Sequence, residues 1–266
     1  MVSAPEMKPE RKLAIVTGAS GGLGLEFARL LAKDGYDLVL VARSEAKLRD
    51  VAQSLSGQYN VEATPVALDL ARPDSAGELA RVVPRCDVLI NNAGFAGHGR
   101  FDRIEESSVS EELELDVVTL TRLTRKYLPA MIERGSGRIL NVASTAGFLP
   151  GPFMAVYYAS KAYVISFSQA VAEELRGTGV TVTCFCPGAI ATGFADRAQM
   201  HQTLLFRLGS ANAPTMAEAG YRGMQRGTLV VVPWPPTNWF VELAARLTPR
   251  RVLLWFSRKA VEVEER

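Results

Sequence analysis

The stretch TGASGGLG, Thr17 to Gly24, admits two readings. As Gly18-Ala19-Ser20-Gly21-Gly22 it fits G-x-S-x-G, the sharp turn that presents a nucleophilic serine in hydrolases. As Gly18-x-x-x-Gly22-x-Gly24 it is a glycine-rich turn through which backbone approaches a pyrophosphate, although its spacing is not G-x-G-x-x-G. Its surroundings discriminate. KLAIVTG (12–18) before it is a compact apolar run suited to a buried parallel strand. LGLEFARLLAKDG (23–35) after it sets Leu23, Phe27, Leu30 and Leu31 on one helical face, with Gly35 as the stop. A glycine turn between strand and helix offers amides and a helix dipole to an anion. A hydrolase serine instead needs oxyanion-hole strands before it, then an acid and a histidine after it. Only His201 comes late enough. Ser20 is therefore read as a small turn residue that bonds backbone or phosphate.

The alternation continues outward. Further apolar strands are expected at 37–42, 61–68, 87–94, 137–144, 180–188 and 228–233, with helical patterns at 74–83, 108–134, 156–176 and 214–226. Another helix, with Ser44 as its N-cap, follows the second strand and turns Leu48, Val51, Ala52 and Leu55 inward. This predicts an α/β fold: a Rossmann-type, doubly wound parallel sheet of about seven strands with helices on both faces. No repeat or linker divides residues 1–266, which are read as one domain. Residues 189–212 break the pattern after a strand's carboxyl end and are a candidate lid.

Composition narrows the classes. A chain of 266 residues with 48% hydrophobic content needs no staples for its core. Net charge is +2, and the basic spots TRLTRK (121–126) and PRR (249–251) read as solvated helix faces, so no nucleic-acid partner is expected. Three cysteines make no disulfide framework; Cys184 and Cys186 share one strand face and read as small buried hydrophobes. His98 and His201 lack metal-ligand spacing, so no metal is expected. With neither an apolar signal core nor a membrane-length apolar run, a cytoplasmic location is expected.

The second strand ends in Ala42-Arg43, where an NAD-specific site carries an acid for the ribose 2′-hydroxyl. A guanidinium there favours a phosphate, hence NADP(H), with NAD(H) as the alternative. In YYASKA, Tyr157 and Lys161 lie four apart on one helical face, and Tyr158 competes at three from the lysine. An ordinary phenol, with a pKa of about 10, is a feeble acid at neutral pH; a nearby ammonium lowers it. Ser144 ends a strand at the carboxyl edge, within reach of a substrate oxygen.

TGASGGLG (17–24), DL (69–70), NNAG (91–94), Ser144, YYASK (157–161) and PGAIAT (187–192), in this order, resemble the short-chain dehydrogenases/reductases over nearly the whole chain. Flanking stretches look most like a bacterial, NADP-preferring branch. The Ser144-to-Tyr157 interval matches the family's spacing and selects Tyr157 over Tyr158. The resemblance implies that Gly18, Ser20, Gly22, Leu23 and Gly24 line the phosphates of NADP(H), with Arg43 at the adenosine phosphate. Asp69 and Leu70 would flank the adenine, Asn91, Ala93 and Gly94 the adenosine and ribose, and Pro187, Gly188, Ile190 and Thr192 the nicotinamide. Tyr157 would protonate a carbonyl oxygen as hydride arrives, Ser144 would orient that oxygen, and Lys161 would bind ribose hydroxyls and tune Tyr157. Asp116 stands where the family commonly has an asparagine that anchors a relay water. Its backbone carbonyl can still hold that water and its carboxylate favours a protonated Lys161, so an altered pH dependence is expected. The alternatives are an NADP(H)-binding sensor without turnover and, more remotely, a serine hydrolase using Ser20.

Phe95, Phe148, Leu149, Phe153 and Met154, with the segment 194–206, are expected to form an apolar pocket with His98 and His201 as polar contacts. This points to a lipophilic or aromatic ketone or secondary alcohol. The C-terminal extension, 234–266, carries Trp234, Trp239, Phe240 and VLLWF. It reads as a subunit contact of a homodimer or homotetramer or as a cover for the pocket, and less favourably as a peripheral membrane contact beside Arg250, Arg251, Arg258 and Lys259.

Overall fold

The computed structural model describes residues 11–190, 203, 211–233 and 247–262. Its seven strands are β1 (Leu13–Thr17), β2 (Asp37–Ala42), β3 (Ala63–Ala67), β4 (Val88–Asn91), β5 (Gly137–Val142), β6 (Val180–Phe185) and β7 (Val230–Val231). All neighbours pair in parallel, in the order β3-β2-β1-β4-β5-β6-β7. The apolar runs become strands because helices cover both faces, and such a sheet has no water-facing side to alternate for.

On one face α1 (Gly22–Lys33), α2 (Glu45–Tyr59) and α7 (Ala213–Gln225) bury Phe27, Leu31, Leu48, Leu55 and Met224 against the sheet. Phe27 meets Phe185 edge-on, ring centroids 5.9 Å apart. On the other face α3 (Ser75–Val82) and α5 (Leu120–Glu133) bury Leu79, Leu123, Tyr127 and Met131. The long α6 (Ala155–Glu174) packs Val164 and Ile165 on Ala143, Cys184 and Cys186. The cysteine sulfurs lie 3.7 Å apart, and both side chains are buried and outside any disulfide. Ser44 takes the N-cap position of α2, but its side chain makes no capping bond there.

One helical stretch was expected over 108–134. The chain is helical without a break from Glu106 to Glu133, as α4 (Glu106–Leu113), a π-helical turn (Glu114–Thr119) and then α5. Asp116 lies within this wider turn and is buried. A last helix, α8 (Arg250–Val261), carries VLLWF. Of the expected lid, 191–202 and 204–210 lie outside the described residues; its base is closed by Ala211 N–H donating to Ala189 O at 3.0 Å. Among the described residues no helix is long and apolar enough to cross a membrane.

The order reverses direction between β1 and β4, and there the carboxyl ends of the strands open a crevice. Thr17 sets its walls: its hydroxyl donates to Ile90 O (3.2 Å) and accepts from the amides of Asn92 and Ala93 (both 2.9 Å). Gly18 then turns with φ +68°, a conformation that L side chains rarely adopt. Gly24 packs so close that a Cβ would overlap the Gly18 carbonyl oxygen. Gly24→Ala is therefore expected to lose about 1–3 kcal/mol of stability in urea unfolding, the usual cost of overpacking. An unchanged midpoint would show that the turn yields freely.

Candidate functional site

A cavity of about 740 Å³ runs along these carboxyl ends. One end is walled by the turn at Gly18, Ser20, Gly22 and Leu23, where the amides at the α1 N-terminus open onto it. Arg43 lies beyond, just past β2, and Asp69, Leu70, Ala93 and Gly94 form the middle. Ser144, Tyr157 and Lys161 face Pro187, Gly188 and Ile190 at the other end.

Helical spacing brings Tyr157 and Lys161 to the sheet-facing side of α6, where both are buried. Ser144, at the exit of β5, accepts from Ala146 N–H at 3.1 Å and shares a hydrogen bond with the Tyr157 phenol. Lys161 Nζ lies 5.4 Å from the Tyr157 ring centroid. The same ammonium pairs with Asp116 Oδ2 at 2.9 Å and donates to Val142 O at 3.4 Å. Asp116 also accepts from Phe95 N–H (3.3 Å) and the Ser160 hydroxyl (3.4 Å). A buried ion pair persists only when such extra hydrogen bonds offset desolvation.

These contacts set the charges. Burial alone would lower the Lys161 ammonium, but Asp116 and the phenol hold its pKa above the ordinary lysine value. Burial pushes the Tyr157 phenol upward, the Lys161 charge and the Ser144 hydrogen bond oppose it, and the Asp116 and Glu112 charges add to the rise. The lysine's lowering influence is thus present, but it does not outweigh burial.

Several expected site residues lie elsewhere. Asn91 does not wall the cavity: its Nδ2 donates to Asn141 Oδ1 (2.9 Å) and Thr124 Oγ1 (3.2 Å) inside the core. The next residue, Asn92, takes the wall position, because side chains alternate at a strand end. Gly24 shapes the turn by close packing and does not line the cavity. Phe95, Leu149 and Met154 line it; Phe148 packs into the core beside α6, and Phe153 stacks on His98 with the Arg258 guanidinium over its ring. His98 is likewise turned away, with Nε2 2.8 Å from Val261 O. Thr192, His201 and, apart from residue 203, the segment 194–206 lie outside the described residues.

Sequence reasoning missed Lys47, which lines the Arg43 end and could have been found four residues on, at the start of α2. It also missed Glu112, buried beside Asp116, which local pattern does not distinguish from a solvated helix acid. Leu253 and Phe256 of VLLWF line the cavity, as a cover for the pocket requires.

Residues 12–203 match the sequence model of the short chain dehydrogenase family. A putative ketoacyl reductase of Streptomyces coelicolor is 36% identical over 210 residues, covering 77% of this chain and 80% of that protein. The very-long-chain 3-oxoacyl-CoA reductase of Rattus norvegicus is 34% identical over 188 residues; the match covers 68% of this chain but spans only 60% of the relative's length. Among solved structures, a short-chain dehydrogenase from Sphingobium yanoikuyae in complex with NADPH superposes with a TM-score of 0.80 at 31% identity, covering 88% of this chain and 93% of that one. With the sheet order and the extent of these matches together, the chain belongs to the short-chain dehydrogenase/reductase family.

Proposed function

We propose that this protein is an NADP(H)-dependent oxidoreductase that interconverts a lipophilic or aromatic ketone and its secondary alcohol, with Tyr157 as general acid and base. One observation carries the reading: Ser144, Tyr157 and Lys161 converge on the cavity that the glycine turn opens into. The residues fit a dinucleotide. Tight packing of Gly24 and the positive φ of Gly18 bring the amides of the α1 N-terminus to the cavity wall, where a pyrophosphate would be held. Arg43 and Lys47 supply cations at the same end, and Ala42 supplies no acid against a 2′-phosphate. The NADPH in the Sphingobium yanoikuyae relative supports this choice.

Bound NADPH would supply a hydride to the carbonyl carbon, leaving NADP⁺. Tyr157 gives its phenolic proton to the carbonyl oxygen, becoming a phenolate. Ser144 donates a hydrogen bond to that oxygen and orients it. Lys161, kept charged by Asp116, stabilises the phenolate and favours the proton's departure. In the reverse direction the phenolate takes the alcohol proton.

Substrate class follows from the walls. Phe95, Leu149 and Met154 face the reacting end, and α8 adds Leu253, Phe256 and Ala260, with Phe256 59% exposed. Such a mouth favours an apolar chain or ring over a small polar carbonyl. The names of the ketoacyl and 3-oxoacyl-CoA reductase relatives support a ketone within an acyl chain.

Tyr157→Phe is expected to reduce NADPH-linked carbonyl reduction by about 10²- to 10⁴-fold, the usual worth of a positioned acid, while cofactor fluorescence still titrates normally. Retained turnover would overturn Tyr157 as the acid. Arg43→Ala with Lys47→Ala is expected to weaken NADPH binding roughly 10- to 100-fold and leave NADH binding nearly unchanged. An equal loss for both dinucleotides would contradict a 2′-phosphate contact.

A further inference from the structure

A second buried acid stands beside the Lys161–Asp116 pair. Glu112, on α4, is only 2% exposed and lies one turn before Asp116. The loop leaving β4 covers both acids. Phe95 N–H donates to Asp116 Oδ1, and Gly97 N–H donates to Glu112 Oε2 at 3.1 Å. Amides two residues apart thus hold carboxyls four residues apart. The other oxygen of Glu112, Oε1, is fully buried and has no hydrogen-bond partner among the described residues. An ionised carboxylate costs more in that position than a neutral carboxyl does.

The charged groups that act on Glu112 are Asp116, from the π-helical turn, and Lys161, on α6. Tyr157, on the same face of α6, feels its charge in turn, as Lys161 does. From the covering loop only the Gly97 amide reaches it; His98, next in that loop, is turned to the Val261 carbonyl. Burial raises the Glu112 carboxyl to about 7, the Gly97 hydrogen bond and Lys161 oppose the rise, and Asp116 adds to it.

We propose that Glu112 is a positioning residue for the reaction: the charge state of its buried carboxyl, acting on the Asp116–Lys161 pair, sets how readily Tyr157 releases its proton. An ionised Glu112 adds negative potential and holds the phenolic proton more tightly; a neutral one relaxes that hold. A purely packing role would be filled as well by an aliphatic side chain. The inference rests on Tyr157 being the acid, but its first test does not.

That test is thermal unfolding of the cofactor-free protein and of Glu112→Gln between pH 5 and pH 8. The folded carboxyl titrates above its unfolded value, so between the two values the folded state binds more protons. The cost of Glu112 is therefore absent in acid and grows as pH rises through about 7. Glu112→Gln should gain on the wild type from pH 5 to pH 8 by at least about 2 °C. In the second test, wild-type reduction should fall through neutrality by roughly threefold to tenfold, and that step should be missing in both Glu112→Gln and Glu112→Leu. A stability gap that does not vary with pH, or a step that survives in both variants, would overturn the proposal. Failure of the dehydrogenase reading would appear separately, as turnover retained in Tyr157→Phe.

Discussion

The ion pair between Lys161 and Asp116, 2.9 Å long and almost wholly buried, is the constraint on which the site depends. Two charges removed from water are costly unless every remaining lone pair and proton finds a partner. Here the partners come from different parts of the chain: Phe95 N–H after β4, Ser160 on α6 and the Val142 carbonyl at the end of β5. Satisfying the pair therefore fixes α6, the π-helical turn and two strand ends relative to one another. The Tyr157 phenol, one turn before Lys161, is placed by the same contacts.

The other half of the site is built from backbone. Parallel pairing brings the carboxyl ends of β1 and β4 side by side, and Thr17 ties them through three hydrogen bonds. The glycine turn then lies directly beside the β4 loop that covers Asp116. The glycine turn and the Ser144, Tyr157 and Lys161 side chains thus line one cavity, which also takes in Arg43. The α8 helix adds the apolar side chains of Leu253, Phe256 and Ala260 to the wall of the same cavity.

The sheet was legible in the sequence because parallel strands covered on both faces must be apolar throughout, as in LAIVT and DLVLVA. The turn TGASGGLG was ambiguous by itself and was resolved by the strand before it and the helix after it. Tyr157 and Lys161 were readable as neighbours from spacing, since α6 keeps regular helical geometry, and Ser144 from its place at a strand's carboxyl end. Where that regularity fails, reading failed too. The π-helical turn has no plain compositional mark and was not read, although Asp116 within it was expected beside Lys161, as found. Asn91 was exchanged for Asn92 because one residue at a strand end reverses the side-chain direction. Phe148 and Phe153 were assigned by apolarity alone, which does not separate a pocket wall from core. Glu112 was invisible because its burial is created by the loop leaving β4, which folds back over α4 and which local pattern does not announce.

The central claim, that the Asp116 charge governs the Lys161–Tyr157 acid, is tested most directly by the pH–rate profile of carbonyl reduction in Asp116→Asn. Asp116 raises both Lys161 and Tyr157, so its removal lets the ammonium and the phenol lose their protons at lower pH. Reduction needs both protonated, and the account predicts that its basic limb moves to lower pH in the variant. A limb that stays where the wild type has it would contradict the claim.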